Sequence, residues 1–141
     1  AKDYFVQASQ DQRNSTSLAL LGTTYYKMGD IASAESSIKE AERIDKTSDC
    51  YLRILGYKSL ILLKLGNPDG FIALRQYADY VKQLNLPFDM HDIRSMIASQ
   101  SADIAELDAT IEKQVIWYEN EMESWNRGEP NYFSDKYGRP M

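Results

Sequence analysis

His91 is the only histidine, and it stands among acids in Asp89-Met90-His91-Asp92. Three donor side chains within four residues could begin a metal site. A structural zinc site takes four ligands, usually from two separated clusters. No second cluster accompanies this one, whereas acids at a helix start are explained by capping and by the helix N-terminus. We therefore expect a cap and no metal. Cys50 is the only cysteine, so no internal disulfide can form. Near a helix start its thiolate could be stabilised, but no histidine lies near it in sequence to activate it. Glu119, Glu121 and Glu123 alternate along the chain and point to different sides of a helix. No Gly-x-x-x-x-Gly-Lys loop, Gly-x-Gly-x-x-Gly turn or Gly-x-Ser-x-Gly elbow is present. The expectation is a protein without catalytic residues or cofactor. Asn14-Ser15-Thr16 matches a glycosylation sequon, and the same residues make a good helix cap.

The bulk properties are those of an ordinary globular protein. The chain has 141 residues and a net charge of -5, with a pI near 4.9. At this length folding removes about two-thirds of the unfolded surface, enough for one core. An acidic chain is poorly suited to nucleic-acid backbones. The longest apolar run, Leu60 to Leu63, ends at Lys64, far short of the roughly 20 residues of a membrane helix. We expect a soluble protein without membrane insertion, cytoplasmic or periplasmic. Its start, Ala1-Lys2-Asp3, is neither an initiator methionine nor a signal peptide, so an excised domain or processed chain is expected.

The elements that must position any site come from an internal repeat. Leu18-x-x-Leu21-Gly22-x-x-Tyr25 is followed by Lys27-Met28-Gly29-Asp30 and by Ala34-x-x-x-Ile38-x-x-Ala41. Small residues fall where two helices approach, and large apolar ones fill the space around them. Gly29 suits a helix C-terminus and Asp30 the next N-cap. Ala1-x-x-x-Phe5-x-x-Ala8 repeats the second-helix spacing 33 residues earlier. Leu52-x-x-Leu55-Gly56 falls 34 residues after its counterpart, and Lys64-Leu65-Gly66-Asn67 echoes the turn 37 residues on. Ala73-x-x-x-Tyr77 continues, until Asn85 and Pro87 end it. These spacings predict antiparallel pairs over 15–28 with 31–44 and 48–65 with 69–84, with Ala34 and Ala41 at a crossing.

These motifs resemble the tetratricopeptide-repeat (TPR) family over about 60% of the chain. The resemblance implies an all-α superhelix of helix pairs. It divides residues 1–87 into a half repeat (1–13), a repeat (15–46) and a degenerate repeat (48–86).

Beyond Pro87 the pattern changes. Asp89 or Asp92 is placed to cap a new helix, and Ser99-Gln100-Ser101 to interrupt it. From Ile104 apolar residues recur through Leu107, Ile111, Val115, Tyr118, Met122 and Trp125 at a mean step of 3.5, the coiled-coil value. Gly128 and Pro130 stop this segment (88–130). Residues 131–141 read as an aromatic tail. A long C-terminal helix could cap the last repeat, with Glu106, Glu112, Lys113 and Glu119 facing water, or it could drive homo-oligomerisation.

Tyrosine is abundant, with ten in 141 residues. In the family resembled, the first helix of each repeat lines a concave groove, while Leu21, Gly22 and Tyr25 pack inward. The implied groove positions are Ala19, Thr23, Tyr26 and Lys27, then Arg53, Tyr57, Leu60 and Lys64. Tyr26, Lys27, Arg53, Tyr57 and Lys64 are the candidate partner-binding residues. Their chemistry suits a protein or peptide partner carrying carboxylates. The family's carboxylate clamp puts Asn after the helix-A glycine. Thr23 and Tyr57 stand there instead, so a chaperone C-terminus is not the expected partner. The expected function is an adaptor or assembly scaffold that docks a peptide or helix. The alternatives are an oligomerisation module and a helical sensor of small ligands.

Overall fold

The computed structural model describes residues 15–44 and 49–138. The expected half repeat at 1–13 and Asn14 of the sequon lie outside the described residues. Within them the chain is all-helical: α1 (Ser15–Met28), α2 (Ile31–Ile44), α3 (Tyr51–Lys64), α4 (Asp69–Gln83), α5 (His91–Ser99), α6 (Ile104–Asn126) and α7 (Tyr132–Tyr137).

Local chemistry sets the helix ends. Gly29 and Gly66 both adopt positive φ, at 84° and 73°. Around Gly29, Asp30 N–H donates to the Tyr25 carbonyl at 2.9 Å and Gly29 N–H to that of Tyr26 at 3.1 Å. Asn67 and Gly66 repeat these bonds to Leu62 and Leu63. This is the Schellman stop, in which a left-handed residue satisfies the last carbonyls. The Asp30 carboxylate then accepts from Ser33 N–H, and the Asn67 side-chain carbonyl from Asp69 N–H. Each short turn folds its second helix back on its first, so each pair is antiparallel.

The strongest packing lies within the pairs α1–α2 and α3–α4, and α2 against α3 joins the pairs. This is a TPR-like stack. Ala34 and Ala41 are fully buried. A Cβ on Gly22 would stand 2.7 Å from Ile38 Cγ1, so only glycine permits this approach of α1 to α2. Lys58 of α3 pairs with Glu42 of α2 at 3.0 Å.

The chain then turns back. Asp89 accepts from His91 N–H at the start of α5, which packs on α4. Gln100, at φ 52°, ends α5, and the Asp103 carboxylate caps α6 by accepting from Glu106 N–H. α6 does not extend the stack beyond α4. It runs antiparallel to α3, burying Leu107, Ile111, Val115 and Tyr118, with Ile104 and Met122 half-buried. The aromatic segment folds onto it as α7. Asn131 and Ser134 form a reciprocal capping box, and Tyr132 N–H donates to the Glu121 carboxylate at 2.9 Å. No described helix is long and apolar enough to cross a membrane.

The tightest joint between α6 and the stack is at Gly56, where an added Cβ would lie 2.6 Å from Ile111 Cγ2 and 3.2 Å from the Tyr77 ring. Gly56→Ala should therefore destabilise by about 1–3 kcal/mol through overpacking, although Ala ordinarily gains about 1 kcal/mol over Gly in a helix. Denaturant unfolding would measure it, and a more stable variant would refute the close approach.

Candidate interaction groove

The first helices of the two pairs, α1 and α3, lie side by side and offer one face to α6. Steps of four and then three residues along α3 put Arg53, Tyr57 and Leu60 toward that contact, and the same spacing on α1 gives Ala19, Thr23 and Tyr26. Two residues decide the geometry of its centre. Arg53 donates from Nε to Glu119 Oε2 at 2.9 Å and from Nη2 to Glu119 Oε1 at 2.8 Å, a bidentate clasp on α6. Its Nη1 donates to Thr23 Oγ1 of α1 at 3.0 Å, so one guanidinium ties three helices. Tyr57, 1% exposed, lies under this guanidinium and meets Tyr26 edge to face at 5.7 Å between ring centroids.

Burial has electrostatic consequences. Desolvation pushes the Tyr57 phenol up to about 12, with Arg53 opposing the shift. Tyr26 is raised further by burial and by neighbouring Asp108, to which it is hydrogen-bonded. Tyr77 is raised by burial, and its hydroxyl donates to Gln114 Oε1 of α6 at 2.8 Å.

At the other end of the face Lys27 reaches Glu112 of α6 at 2.6 Å, with both side chains more than a third exposed. Lys64 is exposed, and no described residue is paired with it. Tyr26, Lys27 and Lys64 share an open cleft of about 470 Å³ with Ile31, Asp108 and Glu112. Met28 and Leu65, the residues following the two lysines, are 69% and 50% exposed.

The five candidate residues thus divide. Arg53 and Tyr57 lie beneath α6, not in an open groove. Tyr26 is buried at the boundary, and Lys27 and Lys64 stand at the mouth. The capping reading of the C-terminal helix turned Glu112 and Glu119 toward water; instead both are paired with the helix stack. They lie seven residues apart on one face of α6, aimed at Lys27 and Arg53. That spacing was readable, but the partner of the stripe was not. Glu106 and Lys113 do face solvent. Gln114 and its bond to Tyr77 carried no sequence signal.

His91 is exposed, and Cys50 is buried with its sulfur 3.7 Å from Ser15 Oγ. Among the described residues no His, Cys, Asp and Glu group is arranged to hold a metal ion. The fold and this face define an all-α stack of helix pairs whose inner surface is closed by an acidic C-terminal helix. No family model matches the chain, and no match was found among curated proteins or solved structures.

Arg53→Ala should lower stability by about 1.5–3 kcal/mol, because it strands Glu119 and Thr23. Thermal and denaturant melts would measure this, and an unchanged melting point would mean that the clasp is not formed in solution. The tyrosines predict a pH effect. A phenol at 10 in the unfolded chain and about 12 when folded holds its proton longer in the folded state. Between these values the unfolded chain binds fewer protons, so stability falls as pH rises. Tyr57 and Tyr118 should titrate late by ultraviolet absorbance, and Tyr57→Phe should flatten the alkaline loss of stability. Ionisation of all ten tyrosines near pH 10 would contradict this.

Proposed function

We propose that the chain is a TPR-like protein-interaction module, an adaptor or assembly scaffold, that docks an acidic partner segment at the mouth of its concave groove. The resemblance of its repeat to the TPR family supports this reading, and a place in the cytoplasm or periplasm is part of the proposal. The observation that carries it is the division of the groove. Its inner part is filled by α6, while Lys27 and Lys64 border an open cleft beside exposed Met28 and Leu65. The two Lys-apolar-Gly turns occupy equivalent places in successive pairs, so they present one rim of alternating charge and apolar surface.

α6 acts here as a permanent inner wall. Leu107, Ile111 and Val115 are wholly buried, and uncovering each would cost about 1.5–3 kcal/mol. A partner that displaced α6 would have to recover that cost, whereas one that adds at the rim would not. The same burial disfavours oligomerisation through the C-terminal helix, because its apolar stripe is already spent. The partner segment should present a carboxylate to Lys64 and an apolar side chain to Met28 or Leu65.

Selection of a displayed random peptide library against the whole chain tests this directly. Enriched peptides should pair an acid with a large apolar residue. Lys64→Glu should weaken them at least about tenfold, the scale of a charge-assisted contact, with no change in melting point because Lys64 is exposed. Peptides indifferent to Lys64→Glu, or no enrichment at all, would reject the rim as the docking site.

A further inference from the structure

α6 has a second face that the groove does not use. Thr110, Lys113, Gln114 and Trp117 fall at i, i+3, i+4 and i+7, so they form one stripe. Opposite them stands the segment between α4 and α5, with Phe88 and Asp89. Together they bound a cleft of about 420 Å³, within the size of ordinary small-ligand pockets.

The chemistry of this cleft is one-sided. The Thr110 hydroxyl, the Lys113 ammonium and the Trp117 indole N–H have no hydrogen-bond partner among the described residues. The Gln114 amide is 7% exposed; its carbonyl is taken by Tyr77 and its NH₂ has only a long contact to Met90 Sδ at 3.7 Å. Four donors with spare capacity, one of them cationic, therefore line one wall. Asp89 on the other wall has one carboxylate oxygen engaged by His91 N–H.

The walls are also aromatic. Phe88 and Trp117 meet edge to face at 5.4 Å, and Trp117 is backed by Tyr132 at 5.4 Å and Phe133 at 6.4 Å from α7. A flat ring extends such an edge-to-face array favourably. The stacked rings and the Gln114 amide, already held by neighbours, lose little freedom on binding.

We propose that the Phe88–Trp117 cleft binds a flat aromatic group bearing a carboxylate, with the ring against Phe88 and Trp117 and the carboxylate toward Lys113 and the Gln114 amide. The group could be a free aromatic acid or the C-terminal residue of a peptide ending in an aromatic side chain. This site is separate from the rim at Lys64 and does not depend on that reading.

The test uses the whole, ¹⁵N-labelled chain and 2-naphthoate, its neutral amide, and a short peptide ending in phenylalanine with a free or amidated C-terminus. The chain has two tryptophans, so Trp125→Phe assigns the indole signal of Trp117. The acid or the free peptide should shift the Trp117 indole N–H and the Gln114 side-chain NH₂ signals. The matching amide should bind at least about tenfold more weakly, as expected for loss of a charge-assisted contact. Lys113→Gln should weaken the acid similarly, and Asp89→Asn, which keeps the cap but removes a like charge, should strengthen it. A response to the acid alone identifies a small-molecule site, and a response to the peptide alone a chain-terminus site; either supports the proposal. No shift at Trp117 with any probe, or equal binding of acid and amide, would overturn it. So would Lys113→Gln binding unchanged in a variant whose melting point matches the parent.

Discussion

Ile111 rests on α3 at the one point where that helix has no side chain. Because Gly56 leaves room for its Cγ2, α6 can approach close enough for Leu107, Val115 and Tyr118 to be buried on either side. The rest of the structure follows from this seating. It sets the height of α6 above the stack and hence the reach of Arg53 to Glu119 and of Lys27 to Glu112. It also decides which parts of the concave face are closed and which stay open at the rim.

Apolar burial and charge play different parts in holding α6. The stripe supplies most of the driving force, since each buried aliphatic side chain is worth about 1.5–3 kcal/mol. The exposed Lys27–Glu112 pair contributes little, as surface ion pairs are worth about 0–1 kcal/mol. The Arg53–Glu119 clasp is costly to break on one side only, but its main effect is geometric. A bidentate guanidinium bond fixes both rotation and register of α6, where a greasy stripe alone would tolerate sliding. The Tyr77–Gln114 bond adds a second fixed point from α4.

The same economy shapes the surfaces left over. Two consecutive helix pairs end their first helices with the same Schellman turn, so Lys27-Met28 and Lys64-Leu65 emerge at one edge. On the far side of α6, its remaining face meets the Phe88 segment, and α7 braces Trp117 from behind. The accessible surfaces of such a fold are its rims and clefts, because the core positions are committed to packing.

Some of this was legible in the sequence. The two helix pairs, their turns and the buried Ala34 and Ala41 follow from local signals: small residues at fixed spacing, glycine where φ must be positive, and Asp or Asn after it. The breaks at Asn85, Gln100 and Gly128 were equally local. The apolar positions of α6 could be read as a stripe, because periodicity records one face of a helix. What that face meets is not a local property. A stripe on α3 and a stripe on another chain have the same spacing, so the sequence left the occupant of the groove open. Only the tertiary structure put Glu119 on Arg53 and Glu112 on Lys27, buried Tyr57, and confined the accessible remainder of the groove to its mouth. It likewise made a cleft from Phe88 and Trp117, residues 29 positions apart whose proximity depends on α5 and α6 folding back across the stack. Contacts between distant segments are set by how whole helices fill space together, and no local pattern encodes that sum.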